Sequence, residues 1–93
     1  MWEIYEHIQI SKVIKRLPRE IVKRYEKWKD IVRISGPQGL TLIHGFHDEA
    51  LKGKWKGYRS SRLSDQHRVI YFVEKEDVFV MVERITPHDY RRH

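Results

Sequence analysis

Leu-Lys-Gly-Lys-Trp-Lys-Gly-Tyr-Arg-Ser-Ser-Arg-Leu-Ser-Asp-Gln-His-Arg-Val-Ile-Tyr, residues 51–71, is the stretch on which the reading of this chain depends. Between Lys52 and Arg68 it carries six Lys or Arg residues and one acid, Asp65. Gly53 and Gly57 loosen its first part, while Trp55 and Tyr58 interleave aromatics with the charge. Residues 58–63 then read as a strand, Ser64-Asp65-Gln66 as a polar turn, and Val69-Ile70-Tyr71-Phe72-Val73 as the apolar body of a second strand over 67–74. Arg68 opens that second strand, so its guanidinium would stand on a sheet and not on a loose tail. Cations interleaved with aromatics suit a surface that neutralises phosphates and stacks bases. A solvated hairpin with ordinary surface charge has the same composition.

Toward the C-terminus, Lys75-Glu76-Asp77 forms a second turn and residues 78–85 a third strand, completing a meander. Its run Val78-Phe79-Val80-Met81-Val82 is nearly continuous in apolar character, as a central strand covered on both faces would be. Pro87 ends it, leaving His88 and Tyr90 just beyond the sheet edge among several arginines. An imidazole that titrates near neutrality beside a phenol can serve as an acid/base station; a frayed basic terminus with no duty is the plainer reading.

Toward the N-terminus the periodicity changes. Trp2-Glu3-Ile4-Tyr5 alternates briefly, as a short first strand does. Ile10, Val13, Ile14 and Leu17 then fall at helical intervals. Pro18 should end that helix and open a second one, with Glu20 near the positive end of its dipole. In the second helix Ile21, Tyr25, Trp28 and Val32 form the apolar stripe, and Gly36-Pro37 stops it. The nine basic residues spread over the two helices read mostly as solvated outer faces. Between the helices and the hairpin, Leu40-Thr41-Leu42-Ile43 reads as a short strand or a buried loop. His44, His47, Asp48 and Glu49 follow it, but their spacing matches no metal motif, so no metal site is assigned. The sum is an α+β fold: two N-terminal helices packed on a small, mainly antiparallel sheet, in one domain over residues 1–93.

Composition agrees. Ninety-three residues with 40% hydrophobic and 34% charged residues support one modest core. A net charge of +6 favours an anionic partner. The absence of cysteine removes thiolate chemistry and disulfides. The first residues lack the order of a signal peptide, and no apolar run approaches the roughly 20 residues a membrane-spanning helix requires. A cytoplasmic protein with no membrane partner is expected.

The order strand, two helices, three-stranded meander, with Leu-Lys-Gly, Gly-Tyr-Arg-Ser-Ser-Arg-Leu, His-Arg-Val-Ile-Tyr and Ile-Thr-Pro-His-Asp-Tyr in sequence, resembles the RelE/ParE superfamily of type II toxin–antitoxin systems, most of all its RelE and YoeB branch. The likeness runs from about residue 2 to 90 and rests on the order and spacing of these pieces together. It implies a microbial-ribonuclease-like fold and an mRNA endoribonuclease that cuts in the ribosomal A site with no metal or cofactor, held in check by a cognate antitoxin in a hetero-oligomer. By the same match Arg68 would clamp the transition-state phosphate, as a planar fork suits. His88 would be the general acid, Tyr90 would orient the substrate or stack on a base, and Glu49, two residues before Leu51, would be the base. Lys52, Lys54, Lys56, Arg59 and Arg62 would hold backbone phosphates. The chain also departs from the pattern: Arg59 and Ser61 stand where RelE has part of its lysine and arginine set. Thr86-Pro87 sets His88 further from the strand than in YoeB, which leaves His47 and His67 as alternative acids. A ParE-like gyrase inhibitor that cuts nothing, and a non-catalytic nucleic-acid or antitoxin-binding module, are the other classes. For Arg68 the structural alternative is an ion pair with Glu74 or Glu83.

Overall fold

The computed structural model describes residues 2–80. Strand β1 (Glu3–Glu6) leads to helices α1 (Ile10–Arg16) and α2 (Arg19–Ser35), and then to a short α3 (Gln38–Thr41). A 3-10 turn at His44–Phe46 precedes β2 (Glu49–Ala50), and another at Gly53–Trp55 precedes β3 (Arg59–Arg62). The hairpin strands β4 (Arg68–Glu74) and β5 (Asp77–Val80) follow. The strands form one sheet in the order β1-β5-β4-β3-β2, parallel only between β1 and β5 and antiparallel elsewhere. The expected strand over 78–85 is thus borne out as far as Val80, and its remainder, with Glu83, lies outside the described residues.

Local chemistry explains the breaks. Pro18 has no N–H to lose and sits at the cap position ahead of α2, with φ −56° and ψ 149°, while Leu17 turns extended to end α1. Gly36 ends α2 with φ 76° and ψ 175°, a conformation open essentially to glycine alone. A methyl group there would also stand 2.6 Å from the Trp2 indole nitrogen. The stretch expected as a strand or buried loop at Leu40-Thr41-Leu42-Ile43 is instead the end of a helical turn. Pro37 enters it at φ −59° and ψ −29°, already helical, and the turn drives Leu40 into the core while Leu42 stays exposed.

The stripe anticipated on α2 is the centre of the core. Tyr25, Trp28 and Val32 are fully buried, with Ile21 close behind, and they meet Val69, Tyr71 and Val78 from the sheet. The Trp28 ring stands edge-on to Tyr71 at 5.2 Å between centroids. Losing a side chain of that size from a packed core costs about 3–5 kcal/mol. One basic residue of α2 is not solvated. Lys29 is buried between Glu6, 3.5 Å away, and Glu26, 3.2 Å away. No described helix is long and apolar enough to cross a membrane.

Candidate nucleic-acid interface

Successive side chains of a strand point to opposite faces, and residues paired across strands share a face. Tyr71, Val69 and Ser61 belong to the face under α2, since Trp28 packs on Tyr71 and donates a 2.9 Å hydrogen bond to Ser61 Oγ. The residues between them therefore occupy the other face. Glu49 pairs with Ser60, and Ser60 with Ile70. Arg62 pairs with Arg68, one step further along the same strands. Glu49, Ser60, Arg62 and Arg68 thus converge on the face turned away from the helices.

Two arginines directly opposite each other stand close enough for one anion to be held at both. Arg68 is buried, 4% exposed, and Arg62 is half-buried. A guanidinium removed from bulk water is screened less and held in fewer rotamers, both of which strengthen its hold on a phosphate. Glu74 stands at the far end of β4 from Arg68, which rules it out as the ion-pair partner considered above. Ser60 carries a buried hydroxyl with no hydrogen-bond partner among the described residues, lying between Glu49 and Ile70. Nothing in the sequence singles it out except its place between two arginines.

Arg59 is placed differently. It shares the helix-side face with Ser61 and is spent on Asp48, whose side chain is fully buried: Nη2 and Nε reach Oδ1 at 2.6 and 2.8 Å. The other carboxylate oxygen accepts from Ser61 Oγ at 2.6 Å and from the Tyr71 hydroxyl at 2.5 Å. Burial alone would lower the pKa of Arg59, yet its bond to Asp48 and that charge together raise it. Burial, and then the charge and hydrogen bond of Asp48, hold the Tyr71 phenol well above its usual value, so it remains a donor. The group His44, His47, Asp48 and Glu49 does not converge. Asp48 turns under the helices, and no cluster of three or more potential metal ligands occurs among the described residues.

The remaining expectations divide by location. Lys52, Lys54 and Lys56 are exposed around the Gly53–Trp55 turn. A cavity of about 260 Å³ opens beside them, lined by Glu49, Ala50, Leu51 and Lys52. His47 is exposed, with Nε2 3.9 Å from Glu49 Oε2. His67 pairs with Ser64 at the β3–β4 turn, adjoining Leu63 of the helix-side core. Trp55 and Tyr58 pack on each other at 5.6 Å, and a row of rings continues through Phe72 and Phe79 to Tyr5. Trp55 meets Tyr58, and Tyr58 meets Phe72, edge-on, while Phe72, Phe79 and Tyr5 stack, so the rings brace one another along the face turned away from the helices. His88 and Tyr90 lie outside the described residues.

The fold has counterparts among solved structures. The RelE–RelB complex of Pyrococcus horikoshii OT3 matches at a TM-score of 0.71 and 23% identity, covering 92% of this chain and 93% of that one. The fold is that of the RelE-like toxins. The YoeB–YefM heterotetramer of Staphylococcus aureus matches this RelE-like fold at a TM-score of 0.68 and 20% identity, covering 97% and 99%. YafQ of E. coli matches at 0.66 and 20%, covering 87% and 89%. No family model matches the chain, and no curated protein matches it either.

Proposed function

We propose that the protein is the toxin of a type II toxin–antitoxin system and acts as a ribosome-dependent, metal-independent mRNA endoribonuclease. The observation that carries this reading is that Glu49 and the cross-strand pair Arg62–Arg68 share the sheet face turned away from the helices. Cleavage of RNA by its own 2′-hydroxyl needs a base and cations close to one phosphate. Glu49 takes the 2′-hydroxyl proton as that oxygen attacks the adjacent phosphorus. Arg68, with Arg62, holds the charge that builds on the phosphoryl oxygens. The bond from phosphorus to the 5′-oxygen breaks, and His88 supplies the proton that leaving oxygen needs. The products are a 2′,3′-cyclic phosphate and a 5′-hydroxyl. Tyr90 orients the substrate, while Lys52, Lys54 and Lys56 hold the backbone on either side of the cut. Arg59 contributes by anchoring Asp48. The site of action is the cytoplasm, where ribosomes are, and the regulator is an antitoxin that covers the basic face. In the RelE-like structures above, RelE is complexed with RelB and YoeB with YefM.

The test is a ribosome-programmed cleavage assay. Arg68→Ala is expected to slow cleavage by roughly 10²–10³-fold, the loss typical of one donor removed from a charge-stabilising site. Cleavage by Arg68→Ala at the wild-type rate, or inhibition of gyrase by a protein that leaves mRNA intact, would overturn the reading.

A further inference from the structure

We infer that Asp48 is a positioning residue for Glu49: its buried carboxylate bolts the two-residue strand β2 to the helix side of the sheet so that the next side chain is presented on the opposite face. The inference rests on Glu49 acting on the substrate as proposed above. Strand β2 has two residues and, among the described residues, stands at the sheet edge, paired with β3 at Glu49–Ser60 and Ala50–Arg59 and followed by one backbone bond from Leu51 to Tyr58. Two ladder positions at an edge do not fix a catalytic side chain to the fraction of an ångström that proton transfer requires. The segment entering β2 is irregular as well, since His47 sits at φ 45°, which a residue with a side chain adopts at a cost.

Against this weak edge stands a buried carboxylate with partners at both oxygens. Asp48 receives three hydrogen bonds, from Arg59 and Ser61 on β3 and Tyr71 on β4, and Arg59 adds a second ion-pair contact through Nη2. Ser61 is itself fixed by the Trp28 indole from α2, so the chain of bonds reaches the centre of the core. A buried charge of this kind adds little net stability compared with apolar packing, but its directional bonds specify one geometry. Here that geometry is the orientation of the backbone immediately before Glu49. Alternation does the rest: with Asp48 and Ala50 held toward the helices, Glu49 must project beside Ser60 and the arginines.

The experiment is a double-mutant cycle between Asp48→Asn and Glu49→Gln, read as single-turnover cleavage of ribosome-bound mRNA, with thermal unfolding of each variant measured alongside. Asp48→Asn is expected to lower the cleavage rate by about 10²-fold without weakening RNA binding, the scale of an ångström-sized misplacement. That loss should vanish when Glu49 is already Gln. Tyr71→Phe keeps its ring in the core and deletes one bond to Asp48, so it should show the same coupling at smaller size even where Asp48→Asn does not fold. A folded Asp48→Asn or Tyr71→Phe protein that cleaves like wild type would overturn the inference, and so would a loss that persists in full in the Glu49→Gln background. Wild-type cleavage by Glu49→Gln would remove its basis. The nuclease reading would survive that last result if Arg68→Ala were still inactive, which separates the two failures.

Discussion

Tyr25 and Tyr71 are phenols placed where ionisation is hardest. Each is buried and each donates to a carboxylate, Tyr25 to Glu6 at 2.5 Å and Tyr71 to Asp48. Burial first, and the neighbouring carboxylates second, raise both pKa values above the ordinary 10. The folded state therefore binds these protons more tightly than the unfolded state. The associated stability is intact below pH 10 and is lost as the pH rises beyond it. Two of the five tyrosines should gain tyrosinate absorbance only together with loss of far-ultraviolet circular dichroism. Early, independent ionisation of all of them would contradict this. The Tyr71→Phe variant should lose stability less steeply over the same alkaline range. At this scale the sequence is an uneven guide. Arg68 could be singled out because a cation opening an apolar strand is conspicuous, whereas Asp48 could not. Its partners lie 11, 13 and 23 residues away, and only folding brings them together. The available signal was indirect: Arg59 and Ser61 fall on the alternate positions of β3 that an apolar core would otherwise claim.

Elements were more legible where one physical cause dominated. The stripe on α2 and the Pro18 boundary follow from helical periodicity and from the missing proline N–H, and both stand as anticipated. Helix α3 did not, because four residues are too few to show a period, and Pro37 decides the turn through its own backbone angles. Gly36 shows how much one position can govern an element. Its backbone lies in a region costing other residues about 1–3 kcal/mol. A methyl group would also press on Trp2, whose amide reaches the carbonyl of Arg33 at 3.3 Å. Gly36→Ala should therefore lower the stability measured by urea unfolding by about 2 kcal/mol or more. A change below about 0.5 kcal/mol would show that the α2 terminus relaxes without strain.

At the scale of the whole molecule, charge separates into roles that a net value of +6 conceals. Lys29, Arg33 and Arg59 are tied to acids, and Arg24 lies over the Phe46 ring at 4.1 Å. Lys52, Lys54 and Lys56 remain solvated around the Gly53–Trp55 turn. If they hold RNA phosphates, replacing all three by alanine should make the dependence of log affinity on log salt shallower by about 2, at roughly 0.7 per contact on single-stranded RNA. Titration of a short RNA by fluorescence anisotropy at several salt concentrations measures this slope, and an unchanged slope would assign the lysines to another task. Sheet order carries a separate consequence. Because β5 lies between β4 and β1, the first strand has no neighbour until residues 77–80 are available to it. A ribosome making this protein must release most of the polypeptide before the scaffold can close, so assembly is delayed until after the basic hairpin has emerged.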